Sequence, residues 1–262
     1  MGEYMTEKYI YLCEDSTEGI FSAVYRVYED KHGHADNEIR IDVPGYNREL
    51  FCSYISVETD FERAAKVART IRRDISETAY EFVLKASLSW KPGKADAIYR
   101  FIIEGLKFGR KVMNHLTAPY MQTLLEAERQ TVNEVHFFVE FLRFEELENG
   151  VLFARINPKS IVFPYVAEHF ADRFSGEDWI IADTVHETMM IHKKNGGCAY
   201  ATFDDVNLDE LTLKYSAEEK TMQELWSVFV DTIAIKERAN RDLQRNMLPL
   251  RYRKYMKEFG AT

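Results

Sequence analysis

The hydrophobic period of this chain changes partway along, and that change constrains the fold more than any other feature. Between residues 61 and 147 apolar side chains recur with helical spacing, and between residues 151 and 203 they recur with period two. In residues 61–74, Phe61, Ala64, Val67, Ala68 and Ile71 share one helical face, while Arg63, Lys66, Arg69 and Arg73 share the other. Further helices are expected over residues 77–88 and 95–113, separated by Pro92-Gly93. The longest is expected over residues 120–147, opening after Pro119 and closed by Asn149-Gly150. Residues 151–156, 179–183, 188–192 and 199–203 then read as strands. Gly196-Gly197 suits a hairpin turn between the last two, and a short helix near residues 164–174 separates the first from the rest. Ser216 with Glu219 forms a capping box for a helix from 217 to about 237.

The opening of the chain is read less sharply. Residues 9–13 (YIYLC) suggest a strand, and Asp15-Ser16-Thr17-Glu18 starts a helix reaching Tyr28. Residues 30–37 are turn-like, and residues 51–57 form a second extended run. Helices grouped apart from the strands argue for an α+β fold, mostly helical with a small antiparallel sheet, rather than a βαβ array. Two regions are expected, residues 1–80, a strand–helix region, and residues 81–262, a core domain ending in a basic segment, with one continuous domain as the alternative.

A hydrophobic share of 46% is enough to build a core. The odd, scattered cysteines Cys13, Cys52 and Cys198 suit a reducing compartment, so a cytoplasmic protein is expected. No apolar run approaches the ~20 residues needed to cross a bilayer, so no membrane association is expected. No P-loop, GxGxxG, GxSxG elbow or HExxH occurs, and no cofactor or metal is expected.

The formal charge of −9 conceals an uneven distribution. Residues 63–111 carry 12 basic and 5 acidic side chains, and residues 236–257 carry 8 and 2, whereas residues 112–235 carry 9 and 21. A polyanion responds to local potential, because the Debye length is about 8–10 Å at physiological salt. The basic segments therefore either form a phosphate-binding surface or pair with the acidic middle. Arg238, Arg241 and Arg245 fall at i, i+3 and i+7, and Arg251, Arg253, Lys254 and Lys257 follow Pro249. Arginine forks and lysine heads suit phosphate oxygens, and Tyr252 and Tyr255 suit base stacking. The Arg63, Lys66, Arg69 and Arg73 face is a second candidate.

Arg129, His136 and Arg143 recur every seven residues, a stripe suited to anion contact or to acid–base work by His136. The alternative is a helix-surface stripe tied to nearby carboxylates. His32-Gly33-His34, between Asp30 and Asp36, is a loose metal-like turn whose simpler reading is a solvated loop. Cys198, beside Gly196-Gly197, lacks a defined base.

Residues 235–240 (IKERAN), 243–247 (LQRNM), Pro249 and 251–255 (RYRKY), with residues 136–144 (HFFVEFLRF), are similar to an uncharacterised bacterial family. That family is described as a probable DNA metabolism protein, domain of unknown function 4130. Residues 150–154 (GVLFA), 169–174 and 179–183 (WIIAD) also match its pattern, and the resemblance covers residues 81–259. It implies a radical-SAM protein partner acting on DNA. Some relatives continue into a uracil-DNA-glycosylase domain, and this chain is expected to be the stand-alone form without it. The expectation is a DNA repair or modification accessory protein that binds DNA and is not itself an enzyme. The alternatives are an enzyme using His136 with Arg129 and Arg143, and a protein-binding scaffold. A deep pocket around His136 would favour the enzyme, and an exposed apolar patch the scaffold.

Overall fold

The computed structural model describes residues 8–45, 48–203, 215–234 and 239–259. The chain forms two compact units, Met1–Val132 and Asn133–Thr262. Ala79, Phe82, Val83 and Ala86, on either side of residue 80, pack into the same core as Tyr11, Ile20 and Val24.

The first unit opens with β1 (Lys8–Cys13), α1 (Thr17–Asp30), β2 (Asn37–Ile41) and β3 (Cys52–Ser56). These three strands form a sheet of order β2-β1-β3 in which both pairings are parallel. Central β1 is rich in buried residues, with Ile10, Tyr11 and Cys13 enclosed, as a strand covered on both faces requires. The unit continues with α2 (Phe61–Thr70), a π-turn (Ile71–Ile75), α3 (Glu77–Ser87) and α4 (Lys94–Phe108). Side-chain caps start the helices where the sequence places them: Ser16 for α1, Asp60 for α2 and Ser76 for α3. The helix expected over residues 61–74 thus widens into a π-turn after Thr70. Ile75 in that turn lies against Gly105 of α4, where any Cβ would collide with the isoleucine methyl.

Helix α5 (Pro119–Phe141) begins in the first unit and ends in the second. It stops short of the expected residue 147. Phe144 leaves the helix to pack edge-on against Phe170 and Phe174, and Glu145–Glu146 becomes strand β4.

The second unit adds β5 (Leu152–Ile156), α6 (Phe163–Arg173), β6 (Trp179–Asp183), β7 (Thr188–His192) and β8 (Cys198–Thr202), in sheet order β4-β5-β6-β7-β8. The sheet is mixed, not wholly antiparallel as the sequence led one to expect. Helix α6 carries the chain back across the sheet, so β5 and β6 run parallel, while the other pairs are antiparallel. The α+β class stands, with one parallel and one mixed sheet. The hairpin joining β7 and β8 forms as expected, with Asn195 at positive φ and Gly196 N–H donating to Lys193 O. After β8 come α7 (Ala217–Ile233) and α8 (Arg241–Met247), then two 3-10 turns, Leu250–Arg253 and Lys257–Phe259. The core gathers Phe138, Ile156, Phe163, Phe170, Trp179 and Ile181. No helix among the described residues is long and apolar enough to cross a membrane.

Candidate functional site

The basic tail separates into cations committed to the fold and cations turned outward. The Arg251 guanidinium pairs with Glu134, a carboxylate only 3% exposed that also accepts the backbone N–H groups of Lys159 and Ser160 at 2.8 Å each. Arg253 donates to Leu248 O at 2.8 Å and Gln244 O at 3.0 Å, closing the C-terminal end of α8. Lys257 pairs with Glu145 at 3.0 Å. The tyrosines are likewise engaged. Tyr252 stacks on Phe137 with ring centroids 4.4 Å apart, and burial pushes its phenol up to about 12. The Tyr255 hydroxyl lies 3.1 Å from Thr184 Oγ1. Arg251, Arg253, Tyr252 and Tyr255 are therefore internal fastenings, and part of the tail does pair with the acidic middle.

Arg241, Arg245 and Lys254 are exposed. Asn240 caps α8 by accepting from Leu243 N at 2.9 Å, and none of the helix's seven residues is buried. Arg241 and Arg245 stand one turn apart on one face. No ion pair joins either to another described residue. Arg238 lies outside the described residues.

The α2 face is partly neutralised. Arg63 pairs with Glu29 at 3.0 Å and Asp60 at 3.2 Å, and Arg73 with Asp74 at 2.7 Å. Lys66 and Arg69 are exposed, Lys66 over the Tyr25 ring and Arg69 with its Nε on Ala65 O.

The seven-residue stripe does not continue as one helical face to its last member. Arg129 and His136 are exposed on α5, Arg129 within the first unit and His136 in the second. Arg143 lies beyond the end of α5, where the helical register is lost, and pairs with Glu258 at 3.0 Å. The two histidines of the loop after α1 hold tyrosines. His32 Nδ1 is 3.3 Å from Tyr11 OH, and His34 Nδ1 is 2.8 Å from Tyr99 OH. Burial, then Lys107 and Arg100, hold the His34 imidazole below its ordinary value. Among the described residues no group of three His, Cys, Asp or Glu side chains is placed to hold a metal. Burial raises the Cys198 thiol, the reverse of what an activated nucleophile needs.

One site was not anticipated from the tail or the stripe. A cleft of about 530 Å³ runs beside α7. Its apolar wall is Phe144 with Met222, Leu225, Trp226 and Phe229, and its polar side holds the Arg143–Glu258 and Lys257–Glu145 pairs. Helix α7 is fixed by polar contacts in its first turns. Ser216 Oγ accepts from Glu219 N at 3.0 Å, while the Glu219 carboxylate reaches Glu146 N at 3.1 Å instead of closing the capping box. Gln223 donates to Glu145 at 3.2 Å. Past that anchor the helix shows apolar side chains to solvent, with Met222 64%, Phe229 50% and Ile233 58% exposed. The signal was legible in sequence as Met222, Trp226, Phe229 and Ile233 at i, i+4, i+7 and i+11.

Comparison with known proteins adds three findings. The model of a family described as a domain of unknown function, DUF4130, matches residues 92–258. No curated protein matches the sequence. Among solved structures, a DHH domain from a member of the s1p family of ribosomal proteins is similar at 8% identity, covering 72% of this chain and 74% of that chain, with a TM-score of 0.39.

Proposed function

We propose, from the premise that this chain belongs to the DUF4130 family, that it is an accessory protein of DNA repair or modification that binds nucleic acid without transforming it. On this reading the chemistry belongs to a radical-SAM partner, as the family resemblance implies. The observation that carries the nucleic-acid part is the exposed arginine pair of α8, Arg241 and Arg245, with Lys254 exposed nearby in sequence. Arginine forks held out from a short capped helix contact phosphate oxygens at little conformational cost. Lys66 and Arg69 supply a second basic patch in the first unit.

The test is a salt titration of binding to single- and double-stranded DNA. Each phosphate contact contributes about 0.9 to the slope of log K against log salt on duplex and about 0.7 on single strands. Changing Arg241 and Arg245 together to Ala should weaken binding and flatten the duplex slope by about 1.8. A wild-type affinity that does not respond to salt would rule the reading out.

The enzyme reading gains nothing from the exposed His136, which does not line the α7 cleft. Accordingly, His136→Ala should leave DNA affinity and complementation in cells unchanged. A loss of complementation with retained binding would revive acid–base chemistry at this residue. The exposed apolar face of α7 does favour a protein-binding role beside nucleic-acid binding.

A further inference from the structure

The cleft beside α7 is independent of the arginines of α8 and asks for a different occupant. We propose that α7 is the docking site for a basic amphipathic helix of another protein.

Met222, Trp226, Phe229 and Ile233 form a stripe spanning eleven residues, or about 16 Å of helix. Ile233 lies beyond the residues that line the cleft, so the apolar surface outruns the cavity. A compact small molecule would fill the cavity and leave that extension wet. A helix laid alongside covers both, with its own side chains meeting the stripe at the same spacing. An apolar face of this kind, bordered by polar groups, is the usual mark of a protein contact.

Glu145, Glu219 and Glu258 line the cleft against Arg143 and Lys257, and both cations are already spent on Glu258 and Glu145. Glu218, one turn before Met222, adds a further carboxylate on the same helical face. The border therefore carries two carboxylates in excess. The Glu258 side chain is 10% exposed, and its Oε2 is buried without a hydrogen-bond partner among the described residues. A buried carboxylate oxygen of this kind is costly until a donor reaches it. Glu258 lines the cleft, so a small turn of its carboxylate toward the docked helix would let a lysine or arginine supply that donor.

A second copy of this chain fits less well. Its α7 would bring the same carboxylates against these. Its basic helix α8 carries Leu243 and Met247 on the face opposite Arg241 and Arg245, so burying the apolar face would turn the arginines away from Glu258.

The probe is a synthetic twenty-residue helical peptide with leucines at i, i+4, i+7 and i+11 and flanking lysines and arginines. Its control is a twin with glutamate flanks. Titrated into the full chain by calorimetry, the basic peptide should bind one to one, at least about tenfold tighter than the acidic twin. Trp226→Glu changes an exposed residue, should leave the circular dichroism intact, and should abolish binding. Glu258→Gln should weaken it by about tenfold or more, the cost of one charge-assisted bond. DNA affinity of the Trp226→Glu chain should be unchanged, which separates this site from α8. Equal binding of the twins, no binding of either, or full binding by Trp226→Glu would each overturn the proposal. So would sedimentation showing the chain alone as a dimer that Trp226→Glu dissociates.

Discussion

Replacing Glu134 with Ala is expected to lower the unfolding free energy of the second unit by about 3–5 kcal/mol. The carboxylate is almost fully enclosed, and both oxygens are in use: one accepts from Lys159 N and from the Arg251 guanidinium, the other from Ser160 N. Removing it orphans the buried Ser160 N–H, beside a Ser160 hydroxyl that already has no partner among the described residues, and strips Arg251 of its counter-charge. Glu134→Gln should be intermediate. An amide presents one acceptor oxygen, and its NH₂ would face a backbone N–H or the guanidinium, donor against donor. Arg251→Ala should cost least, about 1–2 kcal/mol, because the arginine is half-buried and the carboxylate keeps its two backbone donors. Denaturant midpoints of the three variants test the order. Arg251→Ala should also leave the salt slope of DNA binding alone, since its charge is consumed inside the fold. If that variant instead flattened the slope while keeping wild-type stability, Arg251 would belong to the DNA surface and the present assignment would fail.

This pair shows why a charged tail is hard to interpret from sequence. Arg251 and Glu134 are 117 residues apart, and nothing local distinguishes Arg251 from Arg245. The first is a fastening and the second is exposed, a difference decided by the mixed sheet and by where α5 ends. Local signals were reliable where one side chain acts on its own neighbours. Asp60, Ser76 and Ser216 start helices because their oxygens reach N–H groups two or three residues on. The parallel sheet of the first unit was invisible because strand direction depends on the path of the chain between strands, and β2 (NEIRI) is too polar and short to announce itself. The seven-residue stripe lost its last member for a related reason: period alone placed Arg143 on a helix that Phe144 leaves in order to reach the core. The α7 stripe, by contrast, was present in plain helical spacing. Its meaning lay in its exposure among the described residues, which only the fold supplies.

The second large effect is expected at Lys94, where Met should cost the first unit about 2–4 kcal/mol, one to two unsatisfied buried groups' worth. Lys94 opens α4, a position where the helix dipole disfavours a cation. It is nonetheless almost wholly buried, with its ammonium on Ser87 O at 2.7 Å, on Ser89 O, and 2.5 Å from Asp15. The lysine thus closes the C-terminal end of α3 and ties the α3–α4 turn to the loop after β1, beside Cys13, whose thiol burial pushes up to about 12. Methionine fills similar volume but donates nothing, so two buried carbonyl groups lose their partner. Lys91 provides the contrast three residues earlier. It pairs with the exposed Glu126, and an ion pair of that kind contributes about 0–1 kcal/mol. Urea unfolding followed by circular dichroism should therefore separate Lys94→Met, with a clearly lowered midpoint, from Lys91→Met, which should lie close to wild type. Equal shifts in the two variants would mean that the buried ammonium is not what holds this turn.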